Sequence, residues 1–514
     1  MNRNPKFYLY FGIIVLIAAA IRLPNLSYRP MHTDEAVHGI KLGQMLQGEY
    51  RYDPHEYHGP TLNLFTIPIA WIQGQTRLEK ITETTLRSIP VLFSLLTILL
   101  LLGFRQPLGD YTTCLSALFL ALSPVFVFYN RYYIHETLLL FFTTGLILSG
   151  YRFIRNPSMI WSLLIGIFLG FMHATKETWI LSCFALIVAL MGTKWVFGYK
   201  LLRFQPIHIF SSLIAMLLIS SLIHSNLFTY PKGIIDSWLT YGSYFSRGAG
   251  DTLHNHPWFY YFHHLLFYKI SNGPIFSELV IFIFGISGII FSFSHKQSND
   301  GFIRFMIFYA LILTLIYSCI PYKTPWSLLG FWWAWIILAG FGAYSLFIHL
   351  KKPVHQILLI TLYFLGLIQL SYQNIITQTT QASHPHSPWT YAHPDRDIYQ
   401  IETALHEIAL NHTDGKNIHI DIIFPNSEYW PLPWLLRDFH LIGWWDHVDM
   451  VAEPAPVILI SPVLESKLTK KLYELAPPGE RDLYVPLFDN LPELRPGAPI
   501  QMYMKKDTWD QIYG

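Results

Sequence analysis

Two adjacent carboxylates, Asp34 and Glu35, stand in the run Met31-His-Thr-Asp-Glu-Ala-Val-His38, shortly after an apolar segment that ends near Arg22. Charged side chains are costly beside lipid and are tolerated where they face water. A carboxylate that meets an acceptor hydroxyl or amine can take its proton as general base. On a helix Asp34 and His38 share a face, and Glu35 points about 100° away. The competing reading is a helix start, where acids suit the macrodipole and Thr33 serves as cap. Position beside a membrane span favours the chemical reading. His55, Glu56 and His58, with His32 and His38, are ligand types for a divalent metal, although their spacing matches no standard site. His38, His55 and His58 are therefore metal candidates, set against polar histidines that contact substrate.

Three further stretches carry lone cations. Tyr129-Asn-Arg-Tyr-Tyr-Ile-His-Glu136 contains Arg131, with Glu136 opening the next apolar run. Ala174-Thr-Lys-Glu-Thr178 contains Lys176 and Glu177, which could pair with each other. Pro321-Tyr-Lys-Thr-Pro-Trp326 contains Tyr322 and Lys323 in a turn stiffened by prolines. Arginine grips phosphate through paired donors, and interfacial snorkelling is the bland alternative. Arg131, Lys176 and Lys323 on one side of a membrane, opposite an acid pair, make a site for an anionic lipid headgroup. The cations would stabilise a leaving phosphate and the acids would activate an acceptor.

The elements that must position these residues are membrane helices. The 514-residue chain is 52% hydrophobic, 16% aromatic and 13% charged, with mean hydropathy +0.33. Soluble proteins carry about 25% charged residues, so the deficit indicates a polytopic membrane protein. A net charge of +2 is too small to imply nucleic acid. Cys114, Cys183 and Cys319 lie in apolar runs and read as core residues. Apolar segments at 7–22, 87–104, 110–128, 136–152, 159–174, 178–195, 207–225, 275–294, 302–320, 327–349 and 353–372 give about eleven spans. The first follows Arg3 and Lys6 and reads as an uncleaved span. With a cytoplasmic N-terminus, Arg105, Arg152, Arg155, Lys194, Lys200, Arg203, Lys296, Arg304, Lys351 and Lys352 fall in inner loops, as the positive-inside rule expects.

Two outer loops are long, 23–86 and 226–274. In the first, 34–46 has helical spacing and 61–71 suits an interfacial helix. The second is rich in Tyr, Phe, Trp and His, as in an aromatic belt or a lipid-facing groove; Tyr241, Tyr244, Phe245, Trp258, Phe259, Tyr260 and Tyr261 are the candidates. The expected organisation is a transmembrane domain over 1–374 and a small extracytoplasmic α/β domain over 375–514. In the latter, helices are expected at 396–411 and 464–475 and strands at 417–423, 455–461, 482–486 and 499–504. It has no glycine-rich nucleotide motif. Trp430, Trp434 and Arg437 are candidates for gating or acceptor selection.

The run Thr33-Asp-Glu-Ala-Val-His-Gly39 with His58-Gly-Pro60 resembles the first outer loop of protein O-mannosyltransferases, and the chain resembles the GT-C glycosyltransferase superfamily. Closer still is the branch named after an archaeal flippase-associated protein. Its hallmarks resemble Asp34-Glu35, Tyr57-His-Gly-Pro60, Ala174-Thr-Lys-Glu177, Tyr322-Lys-Thr-Pro-Trp326, Pro394-Asp-Arg396 and Tyr429-Trp-Pro-Leu-Pro-Trp434. The resemblance implies an inverting transferase at the cell (inner) membrane, with an extracytoplasmic active site and Asp34 as base. It implies a polyprenyl-phosphate sugar as donor and leaves the acceptor open among protein, lipid and glycan. Arg131, Lys176 and Lys323 would bind the donor phosphate, and His58, Glu136, Glu177 and Tyr322 the substrate. Where relatives tend to have Asp after Arg-x-x-x, this chain reads His135-Glu136. The alternatives are a lipid-linked saccharide flippase, for which neither inverted repeats nor broken helices are evident, and a non-catalytic membrane subunit.

Overall fold

The computed structural model describes residues 4–55, 58–198, 205–248, 254–271, 273–294, 300–475 and 481–514. Among these, eight helices are long and apolar enough to cross a bilayer: Pro5–Arg22, Glu83–Leu108, Glu136–Arg155, Trp179–Phe197, Pro206–His224, Gly301–Cys319, Pro325–His349 and Pro353–Gln378. The chain is a multi-pass membrane protein. The other three segments expected to span contain the shorter apolar helices Asp110–Leu122, Met159–His173 and Leu279–Phe293. Thirteen residues rise only about 20 Å, less than a typical hydrocarbon core, so such helices need protein neighbours or a thinned bilayer. Glu56, Tyr57, Lys200, Arg203 and Lys296 lie outside the described residues, as do the side chains of Tyr244 and Phe245.

The chain folds into two compact units. One comprises Met1–Leu26, Glu49–Ile69 and Thr84–Gln381; the other comprises Ser27–Gly48, Ala70–Glu83 and Ala382–Gly514. The units do not divide at 375, because two pieces of the first long loop pack with the C-terminal residues.

In the first unit, close helix packing depends on missing side chains. Gly166 and Gly170 stand four apart on the Met159–His173 helix. A Cβ at Gly166 would lie 2.1 Å from the Ser212 carbonyl oxygen, and one at Gly170 2.7 Å from that of Met216. Small residues at this spacing let two membrane helices touch along their backbones. Fully buried Glu278 accepts from Ser123 Oγ at 2.6 Å, the Val125 N–H at 2.9 Å and Trp332 Nε1 at 2.7 Å. Val125 lies in the first turn of the Pro124–Tyr129 helix, so Glu278 satisfies an orphan donor of that helix from a distant part of the chain. The second long loop forms the Gly233–Gly248 and Tyr260–Leu266 helices and a hairpin of β1 (Tyr268–Lys269) and β2 (Ile275–Phe276). Its Trp258 and Phe259 are exposed, whereas Tyr260 and Tyr261 are buried.

The second unit is built on a mixed sheet of β3 (Ile420–Ile423), β4 (Ile442–Trp445), β5 (Val457–Ile460), β6 (Tyr484–Pro486) and β7 (Gln501–Lys505), in the order β4-β3-β5-β7-β6. β3 pairs in parallel with β4 and β5, and β7 runs antiparallel to β5 and β6. Alternate side chains of β3 and β5 feed two cores. Ile420, Ile422, Val457 and Leu459 meet Ile401, Leu405 and Ile408 of the Tyr399–Asn411 helix. Ile423, Ile458 and Ile460 meet Leu464, Leu468 and Leu472 on the other face. This explains why β5 is apolar throughout and β3 departs only at Asp421, which accepts from Trp445 Nε1 at 2.8 Å. The sequence reading omitted β4 and the short Leu432–Leu435 and Lys506–Tyr513 helices.

Candidate functional site

The two carboxylates of the first loop have different surroundings, both within the second unit. The Thr33–Gln47 helix begins at His32, not Thr33: the His32 ring Nδ1 accepts the Asp34 N–H at 3.0 Å, and the His32 N–H donates to Glu35 Oε2 at 3.2 Å. This is a capping box with an imidazole where a hydroxyl is usual. Glu35 is fully buried, and Arg29 Nη2 stands 3.9 Å from its Oε1. Its carboxylate therefore holds the helix start together. Asp34 keeps 41% of its side-chain surface exposed, with Oδ1 at 4.0 Å from His32 Nδ1. Of the pair, Asp34 is the one a substrate can reach. His38, on the same helix, is buried.

Burial pushes the His32 pKa below its ordinary 6.5, against the opposing pull of Asp34 and Glu35. An unfolded His32 takes its proton near pH 6.5 and the folded one only at lower pH. The cap is thus fully present above pH 6.5 and is lost as pH falls through the folded value. Hydrogen exchange of the first-turn amides, corrected for intrinsic rates, is expected to accelerate below pH 6.5. His32→Asn, which keeps an acceptor but does not titrate, should flatten that dependence.

The other candidate residues lie in the first unit, where the loops singled out by sequence interlock. His58 Nδ1 donates to Glu177 Oε2 at 2.7 Å, and His135 Nε2 donates to the Gly59 carbonyl at 2.8 Å. The Gly59 N–H bonds the Thr175 carbonyl, and Thr61 Oγ1 bonds Thr175 Oγ1 at 2.9 Å. Trp326 packs edge-on to Tyr129 and tilted against Tyr132. Lys176 pairs with Glu136, and both are buried. Lys176 and Glu177 do not pair with each other; each takes a partner from another loop. A small cavity of about 20 Å³ lies beside Lys176 and Glu136, lined also by Thr178, Ser182, Tyr317 and Trp326.

The remaining cations are held by carbonyls. Arg131 donates to Gln378 Oε1, to the Pro24 carbonyl at 2.5 Å and to the Asn25 carbonyl at 3.1 Å. Lys323 is 1% exposed and donates to the carbonyls of His256, at 3.1 Å, and Ile320. Burial pushes the Lys323 pKa down. Its turn is zipped to a neighbouring segment by the Asn255–Tyr322 bridge and by the Lys323 N–H on the His254 carbonyl, while Tyr322 stays exposed.

The Lys176–Glu136 pair makes a stability prediction. Removing one partner of a buried pair costs about 3–5 kcal/mol, because the other charge is stranded. Glu136→Gln is expected to lower the melting midpoint in detergent sharply. Glu136→Gln with Lys176→Met should recover most of the loss.

Among the described residues no three His, Cys, Asp or Glu side chains converge as a metal site. His58 instead serves Glu177, and the His55 N–H closes a turn on Asp53 Oδ1 at 2.8 Å. Among the described residues, His38, His55 and His58 do not gather into one donor set. Sequence reasoning missed His393, whose ring packs 4.8 Å from that of His32, and the role of Gly59; the adjoining Pro394-Asp-Arg396 and His58-Gly-Pro60 motifs were the available signals. Trp434 Nε1 donates to Glu83 Oε1 at 2.7 Å and Arg437 to the Ile81 carbonyl at 3.2 Å, which gives these two candidates a clamping contact with 70–83.

A helical membrane unit with long loops bearing acids and cations, and a small sheet-containing unit, is the architecture of the GT-C glycosyltransferases, and the chain has that fold. The family model of dolichyl-phosphate-mannose-protein mannosyltransferases matches residues 67–224. ArnT from Cupriavidus metallidurans, in a structure bound to undecaprenyl phosphate, is similar over 96% of this chain and 97% of its own, at 14% identity and a TM-score of 0.64. The apo oligosaccharyltransferase of Archaeoglobus fulgidus is similar over 86% of this chain, at 13% identity and a TM-score of 0.58; the match spans 65% of that enzyme's length. The mycobacterial arabinofuranosyltransferase AftD is similar over 98% of this chain and 40% of its own, at 11% identity and a TM-score of 0.52. No curated protein matches in sequence.

Proposed function

We propose that the protein is an integral-membrane glycosyltransferase. It moves a hexose from a polyprenyl-phosphate-linked donor to an acceptor at the extracytoplasmic face of the cell membrane, with inversion. The observation that carries this reading is Asp34: a solvent-facing acid presented by a capped helix start, beside a buried partner acid. The likeness to ArnT over nearly the full length of both chains supports it.

In this mechanism the acceptor oxygen attacks the anomeric carbon from the side opposite the phosphate. The bond from that carbon to the phosphate oxygen breaks, the acceptor proton passes to the Asp34 carboxylate, and polyprenyl phosphate leaves. A general base contributes about 10²–10⁴ to such a step. Arg131 and Lys323 are assigned to the departing phosphate, and their carbonyl contacts fix the position of each side chain. Lys176, balanced by Glu136, is assigned a weaker share. His58, Glu136, Glu177 and Tyr322 are assigned to holding the substrate.

Purified protein given polyprenyl-phosphate hexoses labelled in the sugar, together with a membrane extract as acceptor source, should release polyprenyl phosphate and label the extract. Movement of labelled lipid across vesicles with no release of polyprenyl phosphate would overturn the reading in favour of transport.

A further inference from the structure

We propose that the segment 383–396 is the support that sets the direction of the Asp34 carboxylate, with His393 a positioning residue acting through His32. The inference rests on the reading of Asp34 as base. The first turn of the Thr33–Gln47 helix depends on the His32 imidazole: His32 Nδ1 takes the Asp34 N–H, so rotating that ring releases the residue that carries the carboxylate. The His393 ring lies 4.8 Å from the His32 ring at 43°, and the Tyr391 backbone hydrogen-bonds His32 as well. His393 is itself fixed, 1% exposed, with Nδ1 accepting the Tyr391 N–H at 2.9 Å.

The same segment also grips the start of the loop. The Arg396 guanidinium lies 4.3 Å from the centre of the Tyr28 ring. Asp395 Oδ1 accepts from Ser383 Oγ at 2.9 Å and from the Arg396 N–H at 2.6 Å, which closes the segment on itself. These contacts give the Pro394-Asp-Arg396 motif a task that its own chemistry does not reveal.

The energetics give the arrangement a signature. Losing a helix cap costs about 1 kcal/mol, so the fold should survive. A base displaced by about 1 Å can cost about 10²-fold in rate. His393→Ala in the full-length protein is therefore expected to speed hydrogen exchange in residues 33–36 roughly five- to tenfold, with β3 and β5 protected as before. It should lower kcat for transfer about 10- to 100-fold, with donor KM within about twofold. His393→Phe, which restores a ring against His32, should recover most of both. Unchanged exchange at 33–36, or equal damage in the Ala and Phe variants, would overturn the proposal. If His393→Ala does not accumulate, Arg396→Ala is read in the same way: faster exchange in the loop supports the proposal and unchanged exchange rejects it. Should the wild-type protein transfer no sugar, the exchange measurements still decide the support, and only the assignment of Asp34 as base falls.

Discussion

Asp34→Asn should cripple sugar transfer, with kcat about 10²–10⁴-fold down and the melting midpoint close to that of the wild type. The amide is nearly the same size, and the cap uses the backbone N–H of residue 34, which the substitution keeps. What is lost is the ability to take a proton. Asp34 is partly exposed, so the fold does not depend on its charge. Glu35→Gln makes the contrast. Glu35 is fully buried and accepts the His32 N–H, so its variant should lose stability as well as activity. Initial rates and melting curves on the two variants separate the roles. An Asp34→Asn protein with wild-type kcat would remove the proposed base.

Gly59→Ala should be among the most damaging single methyl groups in the first unit. Its Cβ would stand 2.0 Å from the Ala174 carbonyl oxygen and 2.4 Å from that carbonyl carbon. Backbone cannot swing aside as a flexible side chain can. The turn would have to lift away, breaking the Gly59–Thr175, Thr61–Ala174 and His135–Gly59 hydrogen bonds and parting His58 from Glu177. Overpacking costs about 1–3 kcal/mol and each of the three lost bonds about 1 kcal/mol, so about 4–6 kcal/mol is expected. Gly12→Ala is the matched control, because a Cβ there meets nothing within 4 Å and alanine suits a helix better. Thermal melting in detergent should show a large downward shift for the first variant and little or none for the second.

How much of this is legible in the sequence differs by element. The long helices are legible because spanning a bilayer demands an apolar run, and little else produces one. The helix of the first loop is legible from spacing, but its cap is not: Thr33 is the expected capping type, and the imidazole of His32 takes the job because His393 and Tyr391 hold it in place. Those neighbours come from a stretch before 396, where the sequence predicts neither helix nor strand. β4 is hidden because Ile442-Gly-Trp-Trp445 is an edge strand, half-exposed and paired on one side only, so it lacks the apolar continuity of β5. Local sequence offers Lys176 the carboxylate beside it. The fold instead matches Lys176 with Glu136 and Glu177 with His58, choices set by which loops touch.

The unit that contains the Asp34 helix draws on both ends of the chain: Ser27–Gly48 and Ala382–Gly514. A ribosome at about 5–20 residues per second makes the two pieces some tens of seconds apart. During that interval the nascent loop lacks His393, Arg396 and Trp434. The support proposed for Asp34 is therefore completed last, and a polypeptide cut short by premature termination carries Asp34 without those contacts.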